Sequence, residues 1–566
     1  MDTVTPLRRI TVLGLDGLTL NLIEPWVRAG QLPAFARLLE QGASSVLHST
    51  RPPMSAQAWT TIVTGRNLAR HGIVDFAARP PGTYRLEYLN AQNRAGPAVW
   101  DTLSEAGYRV AVVNVPITYP PAPVNGMLMA GMDAPSVDTP FIYPPELREP
   151  LLGRFPAYQI EARPFGALHG AHRDHGAMLQ DVLSIEETRF DLLRDLYESQ
   201  SPAFSMVVFR SADLIQHWFW KQMDADHPQH DPDDSAHRDA ILSAYQQLDR
   251  FVGWHLDRLR AGDVLVAVSD HGFSPVGDRV VCLNAWLEEQ GWLSVGAGAA
   301  QRSGLRSFWR AWMLARRTVP PAMKAWLLKR FPRVRERIPS AAAFSGIDWS
   351  RTRAFAFETR GVIYINVKGR EPNGVVEPGA EYECLRDEII ERLSAWRDPV
   401  SGDPMVARVY RREELYEGVL IEWVPDLIVE WAGRYQPNLG YRAVSTRPDA
   451  VSVLTSSELR SAFRPNATHD VDGIFAIVGD MIRPVRLAPQ ALVDITPTIL
   501  YLAGMPIPRD MDGHVIREAI APDYVGAHPV EFAEPVAVEG PVQQAGYDER
   551  DREEIAERLR GLGYIE

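Results

Sequence analysis

Short apolar runs recur along this chain, and several end directly in an acidic or imidazole side chain. Arg9–Leu15 (RITVLGL) ends in Asp16-Gly17, and residues 264–269 (VLVAVS) end in Asp270-His271. Further runs lie at Val110–Val115, Phe204–Phe209 and 473–478, with helical patterns over 181–198 and 240–259 among them. A strand covered on both faces reads as an unbroken apolar run, and parallel strands need a long crossover, usually a helix. The pattern predicts an α/β fold: a largely parallel central sheet flanked by helices. Such sheets carry their chemistry beyond the carboxyl ends of the strands, where Asp16, Asp213 and Asp270-His271 fall.

At 566 residues the chain is long enough for a core plus insertions. Residues 301–339 carry eleven Lys or Arg against the single acidic Glu336, interleaved with Trp309, Trp312, Trp326 and Phe331. This reads as a basic helical cap over the cleft, with peripheral contact to an anionic membrane as the alternative. Strand-like runs around a helix near residues 384–396 indicate an α+β subdomain. The expected division is 1–300 for the first part of the catalytic core, 301–345 for the cap and 346–435 for the subdomain. Residues 436–520 return to the core, and 521–566 form a linker and a C-terminal helix over 548–562.

The formal net charge of −13 argues against a nucleic-acid polymer as partner. Cys282 and Cys384 alone make neither a disulfide framework nor a thiolate metal cluster. The sequence offers no signal-peptide pattern and no transmembrane run, so a cytoplasmic location is expected. Oligomeric state is not legible.

Six oxygen and imidazole side chains stand in four places: Asp16, Asp213 with His217, Asp270 with His271, and His469. Each has an ordinary explanation alone. Asp is a favoured helix cap, an Asp–His pair four apart shares a helix face without a ligand, and His469 sits in a loop pattern. Together they form a donor set suited to divalent metal ions, zinc above all and manganese as the alternative. Two such ions can stabilise both the attacking and the leaving oxygen of a displacement at phosphorus.

Between the first Asp and the rest lies RPPMSAQAWTTIVTG. Ser55 opens a helix predicted over 56–63, where free N–H groups and the helix dipole attract phosphate. A hydroxyl there is either a plain N-cap or a nucleophile, and Thr60, Thr61 and Thr64 are rival hydroxyls. His71 and Arg70 read as structural. The acidic, His-bearing stretch 224–237 reads as a solvated connector, with a third metal site as the alternative.

The ordered set GLDG, PPMSAQAW, HGIVDF, ADLIQHWFW, SDHGF, THDVDGIF and DITPTILYLAG resembles one branch of the alkaline phosphatase superfamily. That branch is the type I phosphodiesterase and nucleotide pyrophosphatase family, and the resemblance runs from about residue 10 to 513. It implies one metal on Asp213, His217 and His469, and another on Asp16, Asp270, His271 and the nucleophile Ser55. It further implies hydrolysis of a small-molecule phosphodiester or phosphoanhydride through a phosphoserine. Alternatives are a phosphomonoesterase or phosphonate hydrolase, a phospho-group transferase, and an inactive ligand-binding module. The family pattern places an Asn after the HGI segment, where this chain has Phe76. The phosphate oxygen is then left to the metals, the Ala56 amide or Asn114.

Overall fold

The computed structural model describes residues 9–162, 175–230, 236–296, 346–357, 361–433, 435–437, 449–454, 465–535 and 547–561. The basic segment 301–339 lies outside the described residues.

The expected apolar runs assemble into one ten-stranded sheet with Arg9–Leu15 near its centre, between Phe204–Phe209 and Asp263–Val268, both parallel to it. Val110–Val115 and Gly126–Ala130 extend the parallel set on one side. Only Ile142–Tyr143 and Asp472–Gly479 run against the others. Along each strand alternate side chains enter two different cores. Leu13, Val113, Val207 and Ala267 face the helices His175–Gln200 and Ala240–Leu256. Val12, Val112, Val208 and Val266 face Ser55–Thr64 and Ile495–Leu502. Burial on both faces is why these strands carry no polar alternation.

Two glycines set how closely the helices approach. A Cβ on Gly14 would stand 2.6 Å from the Trp59 ring, so only glycine lets Ser55–Thr64 pack down on the central strand. Gly17, at φ +75°, turns the chain directly after Asp16, and a Cβ there would meet the Asp213 backbone at 3.1 Å.

The insertion forms a separate four-stranded antiparallel sheet in the order Ala354–Phe357, Val362–Ile365, Leu427–Trp431, Val406–Arg411. Helix Ala380–Ser394 packs on it around its own apolar cluster. Residues after 520 are less linker-like than their composition implies. Pro522–Ala527 is helical, and Phe532–Ala533 pairs with Ile507–Pro508. The final helix, Glu549–Gly561, buries Ile555, Ala556 and Leu559, while Arg558 donates to the Pro135 carbonyl at 2.6 Å. No helix among the described residues is long and apolar enough to cross a membrane.

Candidate active site

All six candidate ligands and Ser55 meet at one edge of the sheet. Asp16 directly follows Arg9–Leu15, Asp270-His271 follow Asp263–Val268 after Ser269, and Asp213 and His217 lie one turn apart on helix Ser211–Met223. His469 arrives from the other direction, on Ala467–Asp470, just before the antiparallel strand Asp472–Gly479. That reversed strand starts where its neighbours end, which delivers His469 to the same rim. Ala467–Asp470 pairs with Gly272–Pro275, with Phe273 opposite His469. The Phe273 ring stands edge-on to the imidazoles of His217 and His469, at centroid distances of 4.7 and 5.5 Å.

The tautomers follow from the backbone. Nδ1 of His217 lies 2.9 Å from the Ala467 carbonyl, that of His271 3.0 Å from Gly272, and that of His469 2.8 Å from Pro53. A carbonyl only accepts, so each Nδ1 carries the proton and each Nε2 presents a lone pair. Those Nε2 atoms face one another and the carboxylates. His217 and His469 approach at 3.1 Å, and Asp213 Oδ1 lies 3.5 and 3.2 Å from them. His271 Nε2 stands 3.5 Å from Asp16 Oδ1, 3.3 Å from Asp270 Oδ2 and 3.2 Å from Ser55 Oγ.

Asp16 Oδ1, Asp213 Oδ1 and Asp270 Oδ2 are buried and accept no hydrogen bond. An unsatisfied buried carboxylate oxygen costs a few kcal/mol, and lone pairs this close repel unless a cation stands among them. The donor set, oxygen and imidazole with backbone-oriented rings, therefore fits divalent metal ions. Among the described residues, Asp213 with His271 and His469, and Asp16 with Asp270 and His271, bring three ligand atoms within 4.8 Å of one another.

Electrostatics agree with this geometry. Burial pushes His271 and His469 down to about 4, so both are neutral at physiological pH. Burial and the neighbouring Asp213 raise Asp16 to about 6, and burial with Asp16 lifts Asp270 well above the usual carboxylate range. Burial also disfavours the charge on Asp213, and the Arg210 guanidinium beside it works the other way and favours the carboxylate.

Arg210 escaped the reading of the sequence. It is fully buried, and its guanidinium spreads over three carboxylates: Asp16 Oδ2 at 3.3 Å, Asp213 Oδ2 at 3.0 Å, and Glu161. Trp59 Nε1 adds a second donor to Asp16 Oδ2 at 3.2 Å. These bonds hold the outer oxygens of Asp16 and Asp213, leaving the inner oxygens for the cluster. A charged residue directly ending the buried run Phe204–Phe209 is the same signal as Asp16, and it pointed here. Glu161 carries no such signal. Replacing Arg210 by Met strands three buried carboxylates, and the expected cost is about 3–5 kcal/mol of stability. Thermal melts against the parent check this, and an unchanged melting midpoint contradicts it.

The rival hydroxyls face elsewhere. Thr60 and Thr64 donate to the carbonyls of Ala56 and Thr60, each at 2.7 Å, and Thr61 pairs with His71 Nε2 at 3.0 Å. His71 is buried and neutral, pushed down to about 3 by burial and the nearby Arg94 and Arg66. Asn114 does not fit as a phosphate donor. Its Nδ2 donates to the Val208 carbonyl at 2.8 Å inside the sheet, and its free Oδ1 is only an acceptor. Phe76 lies in the core with 2% exposure, so no side-chain donor replaces the expected Asn there. In 224–237, His227 is buried rather than solvated, with Nε2 2.9 Å from the Asn466 carbonyl.

The structure thus sets a donor cluster of the metal-binding type at the carboxyl edge of an α/β sheet. The sequence profile of the type I phosphodiesterase / nucleotide pyrophosphatase family matches residues 10–447. The chain belongs to that family and is a phosphoester hydrolase. A variant of the alkaline phosphatase PafA shares the fold at TM-score 0.50 and 14% identity, covering 92% of this chain and all of its own. Phosphonoacetate hydrolase from Sinorhizobium meliloti 1021 aligns at TM-score 0.47 and 17% identity, covering 87% of this chain and 94% of its own. Murine ectonucleotide pyrophosphatase / phosphodiesterase 5 aligns at TM-score 0.45 and 11% identity over 88% of this chain and 95% of its own. No curated protein sequence matches the chain.

Proposed function

We propose that this protein hydrolyses a small-molecule phosphodiester or phosphoanhydride through a phosphoserine on Ser55. The observation that carries this reading is the convergence of three orphaned carboxylate oxygens and three backbone-oriented imidazoles, one of which, His271, stands 3.2 Å from the Ser55 hydroxyl. Asp213, His217 and His469 would hold one divalent cation, and Asp16, Asp270, His271 and Ser55 the other. Zinc suits the donors best. When bound, the pair supplies charge neutralisation at the phosphate and activation of the hydroxyl and of water.

The chain's own residues do the rest. Ser55 begins helix Ser55–Thr64, whose N-cap residue Met54 offers no side-chain cap. The first N–H groups of that helix, Ala56 among them, therefore point toward the phosphate with the favourable end of the helix dipole. With Phe76 in place of the Asn, these amides take over the non-bridging oxygen. Ser55 Oγ attacks phosphorus, the bond to the leaving oxygen breaks, and that oxygen leaves protonated as alcohol or phosphate. Water then attacks the phosphoserine, the P–Oγ bond breaks, and Ser55 regains its proton.

Initial rates on bis-p-nitrophenyl phosphate, p-nitrophenyl phosphate, a phenylphosphonate ester and dinucleotides test the substrate class. A preference of tenfold or more for diester or anhydride in kcat/KM supports the reading (about 1.4 kcal/mol at the transition state). A preference for the monoester or the phosphonate overturns it in favour of those activities.

The same cluster sets a pH dependence. In the chain alone Asp16 binds a proton at about 6, so below that pH a metal ion must displace it. Metal binding then releases protons, and the apparent Kd rises about tenfold per pH unit for each proton displaced. Chelator-competition titrations with Zn²⁺ on either side of this pH are expected to show weaker binding on the acid side. Equal affinity on both sides contradicts the assignment.

A further inference from the structure

Tyr416 follows the short helix Arg412–Leu415 in the insertion, far along the chain from the segment that carries Ser55. Its ring is buried, and its hydroxyl is bonded twice to the backbone of Arg51. The Arg51 N–H donates to the hydroxyl oxygen at 2.9 Å, and the hydroxyl donates to the Arg51 carbonyl at 2.8 Å. One side-chain oxygen thus fixes both polar groups of one residue, as a neighbouring strand would.

The segment held this way is the one that organises the site. Ser49 Oγ donates to the Asp270 carbonyl at 2.6 Å. Pro53 supplies the carbonyl that orients His469, and Ser55 lies two residues further on. Other contacts from the insertion meet the same region. Arg51 Nε donates to Glu430 at 3.1 Å, the Leu420 N–H to the Ala69 carbonyl at 2.8 Å, and Asn67 Nδ2 to the Glu417 carbonyl at 2.9 Å. Among these, the Tyr416 hydroxyl alone grips the backbone between Ser49 and Ser55.

We infer that Tyr416 is a positioning residue for the reaction: its hydroxyl holds segment 51–55 so that Ser55 Oγ and the Pro53 carbonyl stand in register. The inserted unit then contributes to the chemical step itself, apart from any part in substrate choice. This inference rests on Ser55 as the nucleophile.

Tyr416→Phe keeps the ring and removes only the hydroxyl, so the variant is expected to fold with a lowered melting temperature. In the metal-loaded enzyme, assayed well below that temperature on bis-p-nitrophenyl phosphate, kcat is expected to fall tenfold or more. A displacement of about 1 Å at a reacting group costs roughly a hundredfold. KM should stay within about threefold, since the ground-state contacts are untouched. Exchange of the Arg51, Met54 and Ser55 amide hydrogens, the only ones in the segment since 52 and 53 are prolines, should quicken, a readout independent of activity. A merely structural role lowers the melting temperature and leaves kcat at the parent value, which overturns the inference, as does a loss confined to KM. Glu430→Gln, which removes the charge paired with the Arg51 side chain and leaves its backbone held, should keep a parent-like kcat. A loss there equal to that of Tyr416→Phe also overturns it. Activity retained in Ser55→Ala removes the nucleophile assignment itself, whereas an inactive Ser55→Ala beside a parent-like Tyr416→Phe removes only this inference.

Discussion

Replacing Ser55 by Ala is expected to lower kcat on any phosphoester substrate by about 10³-fold or more, the scale on which a covalent nucleophile acts. The fold should survive. Ser55 is fully buried, but it is the first residue of its helix, and alanine fits that position. Its contact with His271 at 3.2 Å is lost, worth about 1 kcal/mol. Circular dichroism and a thermal melt should match the parent closely. Ser55→Thr should keep part of the activity, because the hydroxyl stays while the added methyl crowds a closed site. Full activity in Ser55→Ala moves the role to another group. Thr60, Thr61 and Thr64 are poor successors, since their hydroxyls are engaged within the helix or with His71.

Removing divalent metal is expected to abolish turnover and to lower the melting temperature together. The physical reason is the cluster of Asp16, Asp213 and Asp270, whose inner oxygens accept no hydrogen bond from the protein. A ligand that binds only the folded state stabilises it by RT ln(1 + [L]/Kd), about 4 kcal/mol at a thousandfold excess over Kd. Adding Zn²⁺ or Mn²⁺ to chelated protein should restore both properties, and elemental analysis should find about two ions per chain. Asp270→Asn should weaken binding even where the fold persists, because it removes one ligand charge. Full turnover by metal-free protein, or a melting temperature indifferent to Zn²⁺, contradicts the assignment.

The core strands were legible because burial on both faces leaves an unbroken apolar run. Residues 264–269 and 473–478 appear in the structure as Asp263–Val268 and Asp472–Gly479, shifted by a residue at their ends. The six ligand candidates were legible for a related reason. A polar side chain within a residue or two of the end of a buried strand, as Asp16 and Asp270 are, is held at the sheet edge by the strand's own rigidity. The helix spacing of Asp213 and His217 was equally plain. Less visible was the part of 521–535 that folds back, since Ile507–Pro508 pairs with Phe532–Ala533 through backbone groups that any residue carries.

By itself, then, the sequence determined the α/β class, the order of the strands' apolar segments and the residue types available for metal and phosphate chemistry. Local periodicity and composition encode these directly. The tertiary structure alone decided three things. It chose which hydroxyl faces the cluster, because the turns of one helix send Thr60 and Thr64 to their own backbone and Ser55 to His271. It set the histidine tautomers, through carbonyls of Ala467, Gly272 and Pro53 that come from separate parts of the chain. It also gave Arg210 its contacts with Asp16 and Glu161, and Tyr416 its contact with Arg51, because each joins groups that only the tertiary fold brings together. Hydrogen bonds and ion pairs of this kind depend on distances of a few Å between residues remote in sequence, and no local pattern records them.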